Sequence, residues 1–270
     1  MSENFSYAAP LTVERPEDCF FYHKISIPGL GDVGEQWDLR SSIDNYLGKF
    51  DFRGKRVLDM GTASGFLTFE MEKRGAEVVS FDMVDGTQWD IVPHHDIQKD
   101  MPAMRERAAK AHQRLKNAYW FTHKRLNSKA RVYYGDIYDL PGGLGEFDVV
   151  MFGMILSHLR DPFQALYSAS RLVKGNIIIT NQMMPTDNAI GSFIPSRANL
   201  ERMAWWSLSK GCLKQMLDIL GFSVKSSTES KPLCLVKGRE RPEPCTSLIA
   251  QRTAGATSLT GSAKAPKLAA

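Results

Sequence analysis

Residues 55–83 read KRVLDMGTASGFLTFEMEKRGAEVVSFDM, and this stretch restricts the fold more than any other. An apolar run ends in Asp59, a glycine-spaced turn follows, then a helix-compatible segment, then a second apolar run ending in Asp82. A strand that turns through glycines into a helix presents backbone N–H groups to a ligand. The glycines let that ligand approach the backbone closely. The dinucleotide spacing G-x-G-x-x-G fails, because Gly61 is followed at those positions by Ala63 and Phe66. The P-loop spacing fails as well, since no Gly-Lys pair closes the turn. What fits is D-x-G-x-G-x-G, with Asp59, Gly61, Ala63 and Gly65, the middle glycine replaced by alanine.

The rest of the chain repeats the same alternation. Strand-like runs recur at 55–60, 77–82, 131–135, 147–152 and 175–180, and helix-compatible segments separate the first, second, fourth and fifth. Two further runs, 222–228 and 245–251, are joined by a Pro/Lys/Arg-rich loop and could pair as a hairpin at the sheet edge. The fold class is therefore α/β, a doubly wound Rossmann-like sheet of five parallel strands plus an antiparallel C-terminal hairpin. Residues 1–50 precede the first strand and form an N-terminal cap or lid segment, and 51–252 form the main domain. Residues 86–130 are longer than an ordinary crossover and read as a helical insertion, with Met104, Ala108, Ala111, Leu115 and Ala118 on one stripe. The segment 253–270 is small, polar and unpatterned, and its end resembles vector sequence; a disordered tail is expected there.

Composition excludes several classes. Apolar residues make up 43% of the chain, enough for a core, and no run approaches the ~20 residues of a membrane span. The N-terminus lacks the order of a secretion signal. The four cysteines form no C-x-x-C pair, which points to reduced thiols in a cytoplasmic protein. A net charge of +4 is too weak alone to imply nucleic acid.

The D-x-G-x-[A]-x-G turn resembles the first motif of class I S-adenosylmethionine (SAM) methyltransferases. SAM carries an ammonium, which wants a carboxylate or carbonyls, and a ribose diol, which Asp82 at the second strand end could receive. Two later stretches agree with the resemblance: GDIYDLP after the third strand, and FDVVMFGMILSHLRDP after the fourth. The resemblance implies a cofactor lining of Asp59, Gly61, Ala63, Ser64, Gly65, Asp82, Met83, Asp136, Ile137 and Gly153, with Asp136 and Ile137 at the adenine. The segment FYHKISIPG followed by WDLR is similar to the group related to the tRNA wobble-uridine carboxymethyl-transferring enzymes, which includes many small-molecule methyltransferases. That similarity implies Trp37 and Arg40 over SAM, with Arg40 on its carboxylate. It also implies Tyr22 and His23 at the mouth between SAM and acceptor.

The acceptor is approached by exclusion and by aromatic content. No N-P-P-[YF] follows the fourth strand, and no Pro-Cys, so base-amino methylation and attack through a cysteine are not expected. The acid cluster of Mg-dependent catechol enzymes is absent, and His94–His95 lack a third ligand, so transfer without a metal is expected. Trp89, Phe193, Trp205 and Trp206 could form a cage for a flat aromatic or heteroaromatic metabolite. His158 and His23 are the candidate bases, since imidazole titrates near neutrality. The expected function is SAM-dependent methylation of a small metabolite in natural-product biosynthesis, by a monomer or homodimer. A tRNA-modifying enzyme is the alternative: residues 98–131 carry ten Lys/Arg beside Tyr119, Trp120 and Phe121. A SAM-binding partner subunit without activity is a third class.

Overall fold

The structure is a computed structural model, and it describes residues 5–86, 89–236 and 238–253. Of the expected tail, 254–270 lie outside the described residues. Three short strands open the chain: β1 (Ile25–Ile27), β2 (Gly31–Val33) and β3 (Trp37–Asp38). They lead through helix α1 (Ile43–Tyr46) into β4 (Arg56–Met60), α2 (Phe66–Lys73) and β5 (Glu77–Asp82). A long helix α3 (Met101–Leu126) then leads to β6 (Arg131–Tyr134), β7 (Phe147–Gly153), α4 (Pro162–Ser170) and β8 (Val173–Asn181). The chain closes with β9 (Gly191–Phe193), β10 (Trp206–Leu208), α5 (Lys210–Ile219), β11 (Phe222–Ser230), β12 (Leu233–Val236), β13 (Arg239–Pro242) and β14 (Cys245–Arg252).

Seven strands form the central sheet in the order β11-β14-β8-β7-β4-β5-β6. The pairs β8–β7, β7–β4, β4–β5 and β5–β6 are parallel, as the alternation in sequence predicts. The C-terminal pair β11–β14 is antiparallel at the edge, also as expected. One detail differs from the expected hairpin. It is β14 that pairs with β8, antiparallel, so β11 outside it runs in the same sense as the five inner strands. The loop expected between them folds into a second hairpin, β12–β13, and β12 pairs with β3.

Successive strand residues face opposite layers, the period-2 rule of a strand. Val57, Val78, Val149, Met151, Ile178 and Ile249 pack against α2 and α3 in one core cluster. Leu58, Val79, Val150, Phe152, Ile177, Ile179 and Leu248 pack in the other, with α4 and α5 residues. Asp59, Ser80 and Asp82 share the parity of Val57 and Val78, so three polar residues lie on the α2/α3 face. This parity brings α3 onto the functional edge.

The segment read as an insertion is the crossover that joins β5 to β6. Ala108, Leu115, Ala118, Tyr119, Trp120 and Phe121 of α3 are buried. The N-terminal segment is tied to it: Ala8 N–H donates to the Val132 carbonyl and Phe20 N–H to the Arg114 carbonyl. All four cysteines are free, and no helix among the described residues is long and apolar enough to cross a membrane.

Gly86 fixes how closely the chain after β5 meets α3. A Cβ there would lie 2.3 Å from the Ala108 carbonyl oxygen, a backbone atom that has no freedom to give way. We expect Gly86→Ala to cost about 1–3 kcal/mol in urea unfolding. An unchanged midpoint would show that this contact is not needed.

Candidate functional site

The glycine-spaced turn sits at the C-terminal end of β4. Gly61, Ala63 and Gly65 have φ of +77°, +50° and +90°, all left-handed. Ala63 therefore occupies a conformation suited to glycine, at roughly 1 kcal/mol of strain. The N–H groups of Gly61 and Thr62 donate to the Phe81 carbonyl, at 2.9 and 3.0 Å, and that of Ala63 donates to Asp82 Oδ2 at 2.9 Å. Much of the N–H set that the sequence suggested for a ligand is thus spent holding the turn to β5. Packing demands the glycines too: a Cβ on Gly61 would lie 2.3 Å from Ile155 Cδ1, and one on Gly65 2.5 Å from the Phe69 ring.

Asp59 is fully buried beneath this turn. Thr68 Oγ1 donates to Asp59 Oδ2 at 2.6 Å. That spends the only Thr68 proton, so Thr68 accepts from Thr62 (2.8 Å) and Ser80 (2.7 Å), and Ser80 in turn accepts from the Tyr119 hydroxyl at 2.9 Å. Burial pushes the Asp59 carboxyl up to about 6, with the Thr68 and Thr62 hydrogen bonds opposing it. Its Oδ1 is buried without a partner. Two more buried atoms without partners lie near this edge of the sheet or its turn: Nδ2 of Asn181, which ends β8, and Nδ1 of His23, whose N–H donates to Ser64 Oγ at 3.4 Å. Such an atom costs about 1–3 kcal/mol unless a ligand completes it. A zwitterionic amino-acid end such as that of SAM, with an ammonium and a carboxylate, has the donors and acceptors to do so.

Asp82 ends β5 and is nearly buried. Besides Ala63 N–H, it accepts from Met83 N–H at 2.8 Å and from His112 Nε2 at 3.3 Å, both on Oδ1. Gly135 N–H donates to the Asp82 carbonyl, which places Asp136 and Ile137 beside β5. Asp136 is exposed; one oxygen accepts from Tyr138 N–H at 2.9 Å. Gly153 ends β7, where a Cβ would lie 3.5 Å from the Tyr46 hydroxyl and 2.5 Å from Leu67 Cδ1. Met154 follows at φ +57°, a second strained non-glycine residue on this edge.

The N-terminal residues meet as expected, but two of their roles change. Trp37 Nε1–H donates to the Tyr22 hydroxyl at 3.0 Å, and the Tyr22 and His23 rings stand 4.8 Å apart. Burial raises the Tyr22 hydroxyl and pushes the His23 imidazole down to about 3. An imidazole so held is neutral at pH 7 and too weak to be the base that the sequence suggested. Arg40 also departs from its expected role. Its Nε and Nη2 donate to the two oxygens of Asp38, both at 2.9 Å, and Nη1 donates to Asp32 at 2.6 Å. The forked edge that would match a cofactor carboxylate is already filled.

The loops beyond β5, β6, β7 and β8 are joined to one another. Asp90 accepts from the Tyr138 hydroxyl and from Arg160 N–H and Nε–H, at 3.0 and 2.8 Å. Val92 N–H donates to the Arg202 carbonyl, and Trp205 N–H to the Ser157 carbonyl. In this cover Phe193 lies 6.1 Å from the Trp205 ring and 5.4 Å from the Trp206 ring. Trp89 does not share that group: its ring neighbour is His112, at 6.5 Å. His158 Nδ1–H donates to the Met203 carbonyl at 2.7 Å, because a carbonyl can only accept. This fixes the tautomer and leaves Nε2 with a free lone pair.

Sequence reasoning missed Tyr46, His112 and Asp90. His112 had a signal, its place on the buried stripe between Ala108 and Leu115. Tyr46 and Asp90 had none, because their partners come from distant segments. Among the described residues no three His, Cys, Asp or Glu side chains gather as a metal-holding group.

The raised Asp59 carboxyl gives a signed stability prediction. Unfolded, it ionises near 4; folded, near 6. Folding therefore takes up a proton between those values, and that contribution to stability is lost as pH rises through 6. Asp59→Asn should match the parent at pH 4 and exceed it by up to about 3 kcal/mol at pH 8. A difference independent of pH, read from paired urea titrations, would refute the assignment.

Solved structures of similar fold include three with low identity. The magnesium protoporphyrin IX methyltransferase of Synechocystis PCC 6803, with bound S-adenosylhomocysteine, is 14% identical over 79% of this chain and 81% of its own, at a TM-score of 0.49. The 1,6-didemethyltoxoflavin-N1-methyltransferase of Burkholderia thailandensis is 17% identical over 79% and 76%, at 0.46. A protein of Pyrococcus horikoshii, provisionally named an RNA methyltransferase, is 12% identical over 78% and 80%, at 0.48. No protein of curated function matches the sequence. The profile described as a methyltransferase domain matches residues 36–224, which include the turn, both acids and His158. The chain belongs to that methyltransferase-domain family, as an enzyme that uses S-adenosylmethionine.

Proposed function

We propose that the protein methylates a small aromatic or heteroaromatic metabolite by in-line displacement without a metal. One observation carries this reading: residues 203–206 supply two rings of the aromatic group and the carbonyl that sets the His158 tautomer. A flat acceptor against Phe193, Trp205 and Trp206 would be oriented beside a base whose Nε2 is free. When bound, SAM supplies a methyl already activated by its sulfonium.

The chain's own residues then bind, orient and move a proton. Asp82 would receive the ribose, and Asp136 with Ile137 the adenine. Asp59 would face the ammonium, and His23, neutral, would meet a polar atom of the amino-acid end through Nδ1. With Arg40 engaged, the Tyr22 hydroxyl and Asn181 Nδ2 are donors open to the carboxylate, since Trp37 uses only the acceptor side of Tyr22. His158 Nε2 would take the proton from a phenol, amine or indole as the methyl transfers. The joined loops would exclude water. Work in the cytoplasm, in natural-product biosynthesis, and as a monomer or homodimer, belongs to the same reading.

The tRNA alternative loses its aromatic stacking surface. Tyr119, Trp120 and Phe121 are interior, so they offer no face for stacking bases. Several basic side chains are engaged locally: Arg114 donates to the Cys19 carbonyl, Lys124 pairs with Glu14 and Arg131 with Glu77.

Methyl-labelled SAM added with the protein to an extract of its source organism should label an organic-soluble small molecule; label in the tRNA fraction would overturn the reading. His158→Ala should lower kcat by roughly 10²–10⁴ while leaving SAM affinity unchanged. Full turnover in that variant would remove His158 as the base.

A further inference from the structure

α3 touches the segment that follows β5 at three places spaced one helical turn apart. Ala108 closes onto Gly86, His112 Nε2 reaches Asp82 Oδ1, and Lys116 Nζ donates to the Val84 carbonyl. Positions i, i+4 and i+8 share one face of a helix. One face of α3 therefore lies along residues 82–86. Lys116 also sits over the Tyr134 ring, 3.8 Å from its centroid, which holds the same face against β6.

His112 is the polar member of this face and is 2% exposed. Burying an imidazole is costly without a hydrogen bond, and among the described residues its one side-chain partner is Asp82. The carboxylate offers about four lone-pair directions. Oδ1 accepts from Met83 N–H and His112, and Oδ2 accepts from Ala63 N–H. Among the described residues one direction, on Oδ2, remains. The two ribose hydroxyls expected from the sequence thus meet a single open position, and its aim depends on how Oδ1 is held.

We propose that His112 is a positioning residue of the cofactor site: by donating from Nε2 to Oδ1 it fixes Asp82 so that Oδ2 receives a ribose hydroxyl. This rests on the reading of Asp82 as the ribose acid. The crossover helix is then part of the cofactor site and acts through Asp82 without touching the ligand.

The test compares S-adenosylhomocysteine with its 2′,3′-dideoxyribose analogue by calorimetry on the whole chain. His112→Met keeps an apolar filling of similar reach and removes the donor; His112→Gln keeps an amide donor near the Nε2 position. The Met variant should bind S-adenosylhomocysteine at least tenfold more weakly and the dideoxy analogue within twofold of the parent. KM for SAM should rise in step, with kcat within about threefold. The Gln variant should recover most of the parent's preference for the ribose ligand. Equal weakening of both ligands, or no weakening, would reduce His112 to packing and overturn the proposal. If the Met variant does not fold, the Gln variant decides: parent-like preference supports the proposal, and lost preference overturns it. If the parent itself binds both ligands equally, the ribose reading of Asp82 fails, and the proposal with it.

Discussion

The carboxylate of Asp82 is where three separately folded parts meet. The turn after β4 donates through Ala63 N–H, the end of β5 donates through Met83 N–H, and α3 donates through His112. A nearly buried carboxylate must be surrounded by donors, and this one draws them from three directions. The left-handed turn, the register of β4 on β5 and the docking of α3 are thereby made mutually dependent. The strain at Ala63 is tolerable because its N–H gains a charge-assisted hydrogen bond.

Asp59 solves the same problem differently. It lies one strand over on the same face, reached by one line of hydroxyls from Tyr119 through Ser80 and Thr68. Fewer donors and complete burial leave its carboxyl raised and one oxygen unmatched. Two acids at neighbouring strand ends thus differ in how many N–H and O–H groups each receives.

Above the sheet, loops from four strand ends converge on Asp90 and on the backbone of 201–205. Histidine tautomer and aromatic grouping are both set there. The cover over the strand ends is therefore built from parts distant in sequence, while the glycine-spaced turn, Asp59 and Asp82 come from one contiguous stretch.

The sequence by itself determined the parallel sense of five strands, the place of Asp59 and Asp82 at strand ends, and the buried stripe of α3. These depend on local periodicity and on turn residues, which are properties of neighbours in the chain. Tertiary structure alone decided the rest. Asp32 and Asp38 close on Arg40, burial silences His23 as a base, Met203 fixes His158, and His112 lands on Asp82. Trp120, close to a run of basic residues, turns inward because its face of α3 covers the sheet. Arg40 finds its acids two and eight residues away; the other outcomes depend on a partner tens of residues away, or on a dielectric that only packing creates, and neither is encoded in a short window of sequence.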